Sequence, residues 1–140
     1  MGQAATTGGS KDRLSLLIAY VHGARSRPFR PGRHDCALFA AGWVKLITGL
    51  DLARGHRSKY RSVKGGHARL RQAGYADPVA LAAEHLTEVP PAFAQPGDLA
   101  VLDEATFGLL AGEMIYGLGP QGLAPVPRGQ MRRAFAVGRP

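Results

Sequence analysis

Disulfide chemistry is the first thing this chain lacks the means for. Cys36 is its only cysteine, so no internal bridge forms and the fold does not depend on oxidation. No CxxC or HxxxH spacing accompanies that cysteine. His34-Asp35-Cys36 is too tight and isolated to fill a tetrahedral shell, so no metal and no cofactor is expected. Long apolar runs are missing as well: no stretch approaches ~18 consecutive apolar residues, and no membrane span is expected. The opening MGQAATTGGSKDR has no apolar core behind a basic flank, which gives no expectation of a secretory leader.

Acidic residues are also scarce. Ten Asp and Glu stand against 18 Lys and Arg, a formal net charge of +8. From Arg54 to Arg71 there are seven Lys or Arg and no acid; after Glu113 there are four Arg and no acid. Such a balance points to an anionic partner: nucleic acid, an envelope polymer or an acidic protein surface. Only Tyr60 in the basic segment is available to stack on a base. No helix-turn-helix, zinc-finger, RNA-recognition or GxxxxGK[ST] signature is present. Nucleic acid is therefore not the expected partner, and a basic nucleic-acid-binding accessory is carried only as an alternative.

What is present fits one α+β domain. Its 140 residues and 45% hydrophobic content suffice for a core. Residues 1–10 are small and polar and read as a flexible arm, with a single domain over 11–140. Leu14, Leu17, Ile18 and Val21 follow the i, i+3, i+4, i+7 spacing of an amphipathic helix over Lys11 to Gly23. Asp35 is placed to cap a second helix running to Thr48, with Leu38, Phe39, Trp43, Leu46 and Ile47 as its apolar face. A short helix is expected from about Gly66 to Ala73, and another from Asp77-Pro78 to Leu86. Beyond Pro91 the period shortens. Leu99–Leu102, Phe107–Ala111, Met114–Leu118, Leu123–Val126 and Ala134–Val137 read as strands separated by glycines. Helices first and strands after predict N-terminal helices packed on a small, mainly antiparallel sheet, with the Cys36 helix at the centre.

Cys36 has two readings. In the first turn of a helix, a thiol meets the positive end of the dipole and free N–H groups, which favour thiolate; Arg33 adds to this and Asp35 opposes it. Equally, cysteine is among the most often buried residues, and this one opens an apolar helix. A nucleophilic cysteine needs a base, usually histidine. His34 lies two residues away. His22, His56, His67 and His85 read as solvated surface side chains, and no histidine follows Pro91.

The Asp35-Cys36 pair opening an apolar helix, the Pro96-Gly97-Asp98 turn and the strand after it, and a further strand ending in glycine together resemble the NlpC-type cell-wall cysteine peptidases. The resemblance covers about residues 29–118. The stretches HDCALFAAGWVKLITGLDLA, RSKYRSVKGGHARL, AQPGDLAVL and GLLAGEMIYGLGPQGLAPVP look closer to a phage-encoded branch met among tail-assembly genes. The resemblance implies a circularly permuted papain-like fold, with Cys36 as nucleophile and Asp35 as helix cap. It also implies a place in the virion, in the tail tip, among other tail-tip or hub proteins, with peptidoglycan as a further possible partner. The family's catalytic histidine opens a strand that here reads Thr106-Phe107-Gly108-Leu109-Leu110-Ala111-Gly112, so Thr106 occupies the histidine's position. The residue that would orient the histidine falls near Ile115 or Tyr116. A threonine hydroxyl cannot take the thiol proton near neutral pH, and general acid–base help is worth ~10²–10⁴-fold. The expectation is therefore a degenerate peptidase fold serving as a structural part of a phage-type tail tip. The alternative is an active endopeptidase that cuts peptidoglycan peptides during genome entry, with His34 as a non-standard base.

Overall fold

The computed structural model describes residues 10–139. Residues 1–9 of the predicted arm lie outside the described residues; Ser10 opens the first helix. Among the described residues four α-helices precede a six-stranded sheet in which every pairing is antiparallel. The helices are α1 (Ser10–Arg25), α2 (Cys36–Thr48), α3 (Val63–Gln72) and α4 (Pro78–His85). The strands are β1 (Thr87–Val89), β2 (Leu99–Val101), β3 (Phe107–Ala111), β4 (Met114–Gly119), β5 (Gly122–Pro127) and β6 (Arg133–Ala136). Their order across the sheet is β1-β6-β2-β3-β4-β5. The α+β expectation, helices on an antiparallel sheet, matches this arrangement. Among the described residues no helix is long and apolar enough to cross a membrane.

Alternation along the strands divides the core in two. Leu99, Val101, Phe107, Leu109 and Phe135 face α1, α2 and α4, where they join Leu17, Phe39, Trp43, Val44, Val79 and Ala82. Ala100, Leu110, Ile115 and Ala134 point the other way, and Ala94 and Met131 complete that smaller core. The two turns before α2 and after it are set locally. The Asp35 carboxylate accepts from the Leu38 N–H at 2.9 Å, and Gly49 ends the helix with a left-handed φ of 81°. Trp43 is fully buried, and its Nε1 donates to the Gly97 carbonyl at 2.7 Å. The central helix is thereby tied to the turn that starts β2.

Three expectations need correcting. The buried stripe of α1 is Arg13, Leu17, Val21 and Ala24, whereas Leu14 and Ile18 are 45% and 63% exposed. The helix is rotated because Arg13 is drawn inward by Asp98. Its Nη2 stands 3.2 Å from Asp98 Oδ1 and its Nε donates to the Pro96 carbonyl at 2.9 Å. Leu46 of α2 is likewise 48% exposed, with Val44 and Ala40 taking the buried places. α3 starts three residues before the expected Gly66, because Ser62 caps it by accepting from the Gly65 N–H at 2.9 Å. A strand that sequence periodicity does not show, β1, pairs with β6 and is fastened by Arg133 and Glu88 at 2.9 Å.

Asp98 is the deepest polar side chain of the fold, with no exposed surface. It accepts from the Gln95 and Val137 N–H groups, from Arg13, and from both Nε and Nη2 of Arg139. Gly97, at φ 90°, lies against the Arg13 guanidinium, and a Cβ there would come within 2.7 Å of Nε. Only glycine combines that backbone with that approach.

Candidate functional site

A cavity of about 250 Å³ opens between the N-terminal half of α2, the loop from Leu52 to Tyr60, α3, α4 and the strand ends near Thr106. Small side chains keep it open: Ala37, Ala40 and Ala41 on α2, Ala53 on the loop, Gly66 on α3 and Ala82 on α4. Its polar lining is Asp35, Cys36, His56, Tyr60, His67 and Thr106; the rest is apolar. Among the described residues no three His, Cys, Asp or Glu side chains gather as metal ligands.

Cys36 and Thr106 both line this cavity. Cys36 is the first residue of α2 and half-buried. Burial pushes its thiol pKa up, and the neighbouring Asp35 carboxylate pushes it further; the N–H groups of Phe107, Ala37 and Cys36 itself pull the other way without prevailing. The helix terminus therefore does act on the sulfur as expected, but the low-dielectric wall outweighs it. No histidine is among the groups that act on the thiol.

His34 faces elsewhere. Its ring is buried against α1, with Nε2 3.3 Å from the Ala24 carbonyl, in a recess formed with Tyr20, Gly23 and Arg27. Burial, reinforced by Arg27, lowers its pKa and keeps it neutral. It lines that recess and not the Cys36 cavity, so the structure does not bring the suggested base to the nucleophile. The position suggested for an orienting polar residue is filled by Ile115, fully buried in the other core, and by Tyr116, packed on the main one.

Two residues that read as surface side chains, His56 and His67, line the cavity instead. Both are half-buried, and His56 is held below its ordinary pKa by burial and by Arg69. Tyr60 was legible only as a stacking side chain. Its hydroxyl donates to Asp35 Oδ2 at 2.6 Å, and burial followed by that contact raises its pKa. Asp35 is thus held by the Tyr60 hydroxyl and by the N–H groups of Gly32 and Leu38. Gly32 packs so closely on the Tyr60 carbonyl that a Cβ would come within 2.0 Å of it. These contacts pin the basic loop beside the thiol. The i, i+25 pairing of Asp35 and Tyr60 leaves no local pattern in the sequence, which is why it goes unseen there.

The chemistry available is limited. The cavity holds a thiol kept protonated, N–H groups at a helix start, the Thr106 hydroxyl and the His56 and His67 imidazoles. No curated protein matches the sequence. Over residues 11–137 it matches the family described as a domain of unknown function, DUF6950, and the chain belongs to that family.

Proposed function

We propose that the protein is a structural or assembly component of a phage-type tail tip, built on an NlpC-like, papain-like scaffold that has given up peptidase chemistry. The observation that carries this reading is the environment of Cys36. Thr106 lines the cavity that Cys36 opens onto, the Phe107 N–H acts on the sulfur, and the thiol is held protonated. A cysteine at the start of a helix packed on an antiparallel sheet supports the scaffold assignment, and the loss of the base supports its retirement from catalysis. The basic surfaces then serve to dock on acidic neighbours in the tail, and the cleft binds without cutting. If so, the protein co-purifies with tail components, and phage carrying Cys36→Ala assemble and infect like the parent. Release of fragments from muropeptides by the purified protein, abolished by Cys36→Ala, overturns the reading.

The second reading, a working cysteine endopeptidase acting on peptidoglycan peptides, is favoured by one observation: His56 and His67 share the cavity with Cys36. In that case one of them takes the thiol proton and returns it to the leaving amine, and the N–H groups at the start of α2 hold the oxyanion. His56→Ala and His67→Ala then separate the two readings. Only a working enzyme loses muropeptide cleavage on either substitution.

A further inference from the structure

Residues 54–62 form one side of the Cys36 cavity, to which they contribute His56 and Tyr60, and they contain neither helix nor strand. Ser58 among them takes a left-handed φ of 63°. A residue with a Cβ resists that conformation, which persists where the surroundings impose it. Two hydrogen bonds join the segment to the turn and cap ahead of α2. The Ser58 N–H donates to the Gly32 carbonyl at 2.8 Å, and the Tyr60 hydroxyl donates to Asp35 Oδ2 at 2.6 Å. Its other hydrogen bonds among the described residues stay within the segment or run to its own ends: Arg57 to Asp51 on one side, Arg69 of α3 to the Gly55 carbonyl on the other. Tyr60 is also seated between two glycines. A Cβ on Gly66 would stand 2.9 Å from its ring, and one on Gly32 would come within 2.0 Å of its carbonyl. Gly66 lies within α3, where alanine is the better helix former. The seat of the ring, and not the helix, accounts for a glycine there.

We propose that residues 54–62 are a strap that closes one side of the Cys36 cavity, with Tyr60 as the latch that seats it on Gly32, Gly66 and Asp35. The fastening is concentrated at one side chain, so its release frees the middle of the segment while the two ends hold. Release does not strand a buried charge, because Asp35 keeps the N–H groups of Gly32 and Leu38. It also lets Ser58 leave its left-handed conformation, which favours opening and offsets part of the lost bond. The closed strap admits small molecules more readily than bulky ones, and the open strap admits both. This inference goes beyond the reading above and does not depend on it, since a gated cleft serves binding and cutting alike.

Cys36, as the single cysteine and a cavity residue, reports the state of the strap. The full chain is alkylated with iodoacetamide and, separately, with a maleimide carrying a bulky fluorophore, and the ratio of the bulky to the small rate constant is taken. Both reagents attack the thiolate, so the ratio cancels any change in the acidity of the thiol. In the parent the ratio is expected to fall well below its value for the chain unfolded in urea. Tyr60→Phe keeps the ring and removes the hydrogen bond to a carboxylate, and is expected to raise the ratio about tenfold. Gly66→Ala improves the helix and presses a methyl group on the Tyr60 ring. It is expected to raise the ratio while the urea midpoint stays at or above the parent's, whereas a Tyr60 that merely packs would leave the ratio unchanged. A parent ratio equal to that of the unfolded chain overturns the proposal. So does a ratio that neither substitution raises, or one that rises only in proportion to a fallen urea midpoint. None of these outcomes touches the non-catalytic reading, which muropeptide cleavage decides.

Discussion

Two aspartates are buried in this protein, and their surroundings are opposite. Asp98 has no exposed surface and is met by two arginines and two backbone N–H groups. Asp35 is 5% exposed and is met by two backbone N–H groups and one tyrosine hydroxyl, with no cation paired to it among the described residues. Around Asp98 the chain is filled; beside Asp35 it leaves a cavity of about 250 Å³. The first carboxylate is neutralised and holds elements together. The second orients a loop and adds negative charge beside a thiol whose acidity burial lowers first. The pair separates the part of the molecule that secures the fold from the part that borders the cavity.

Substitutions test that division in descending order of effect. Asp98→Asn strands Arg13 and Arg139 beside an amide that offers a donor to them, and breaking a buried pair from one side costs ~3–5 kcal/mol. The expected outcome is a large fall in the urea midpoint, close to loss of the folded state for a domain of ordinary stability. A midpoint unchanged from the parent would deny Asp98 its role. Tyr60→Phe removes one hydrogen bond to a buried carboxylate, worth roughly 1.5–3 kcal/mol at most. Its larger consequence is local, with faster amide exchange over residues 54–62 while β2 and β3 keep their protection. Uniform deprotection across the sheet would show that the two aspartates do not govern separate regions.

The thiol gives a pH test. Because the folded pKa of Cys36 is raised, the thiolate fraction at pH 7–8 is smaller than in the unfolded chain. Alkylation in the native protein is therefore slower than in urea, and the gap closes only as pH climbs past the ordinary thiol range. A native rate that plateaus below that range would mark an activated nucleophile. The smallest effect is expected on the outer side of α1. Leu14→Ser and Ile18→Ser remove side chains that are 45% and 63% exposed and alter stability by about 0.5 kcal/mol or less.

What could be read from the residues alone follows the range of the interactions. α2 was legible because its signals are local: an Asp cap, an apolar run and a glycine at the end. β3 and β4 were legible because burial on both sides of a short segment leaves a strong apolar imprint. The orientation of α1 was not, because Leu14 and Ile18 satisfy the helical period as well as Arg13 breaks it, and the acid that buries Arg13 lies 85 positions away. β1 was missed for the opposite reason. Two of its three residues are exposed, so it has no alternation to show, and it is held by its pairing with β6. Cys36 and Thr106, seventy positions apart, line one cavity because the first opens α2 and the second precedes β3. His56, Tyr60 and His67 arrived at the same cavity through an irregular loop, where no periodicity exists to place a side chain.

Asp98 has one more consequence, a mechanical one. Arg13 sits near one extremity of the described chain and Arg139 at the other, and both grip the same carboxylate. A load pulling on those extremities is carried first by this clasp, across side chains, before any strand of the sheet is sheared. The sheet and the cavity wall behind it are shielded from tension until the clasp yields, so under force the domain is expected to release in two steps, a short one at the clasp and a longer one through the sheet.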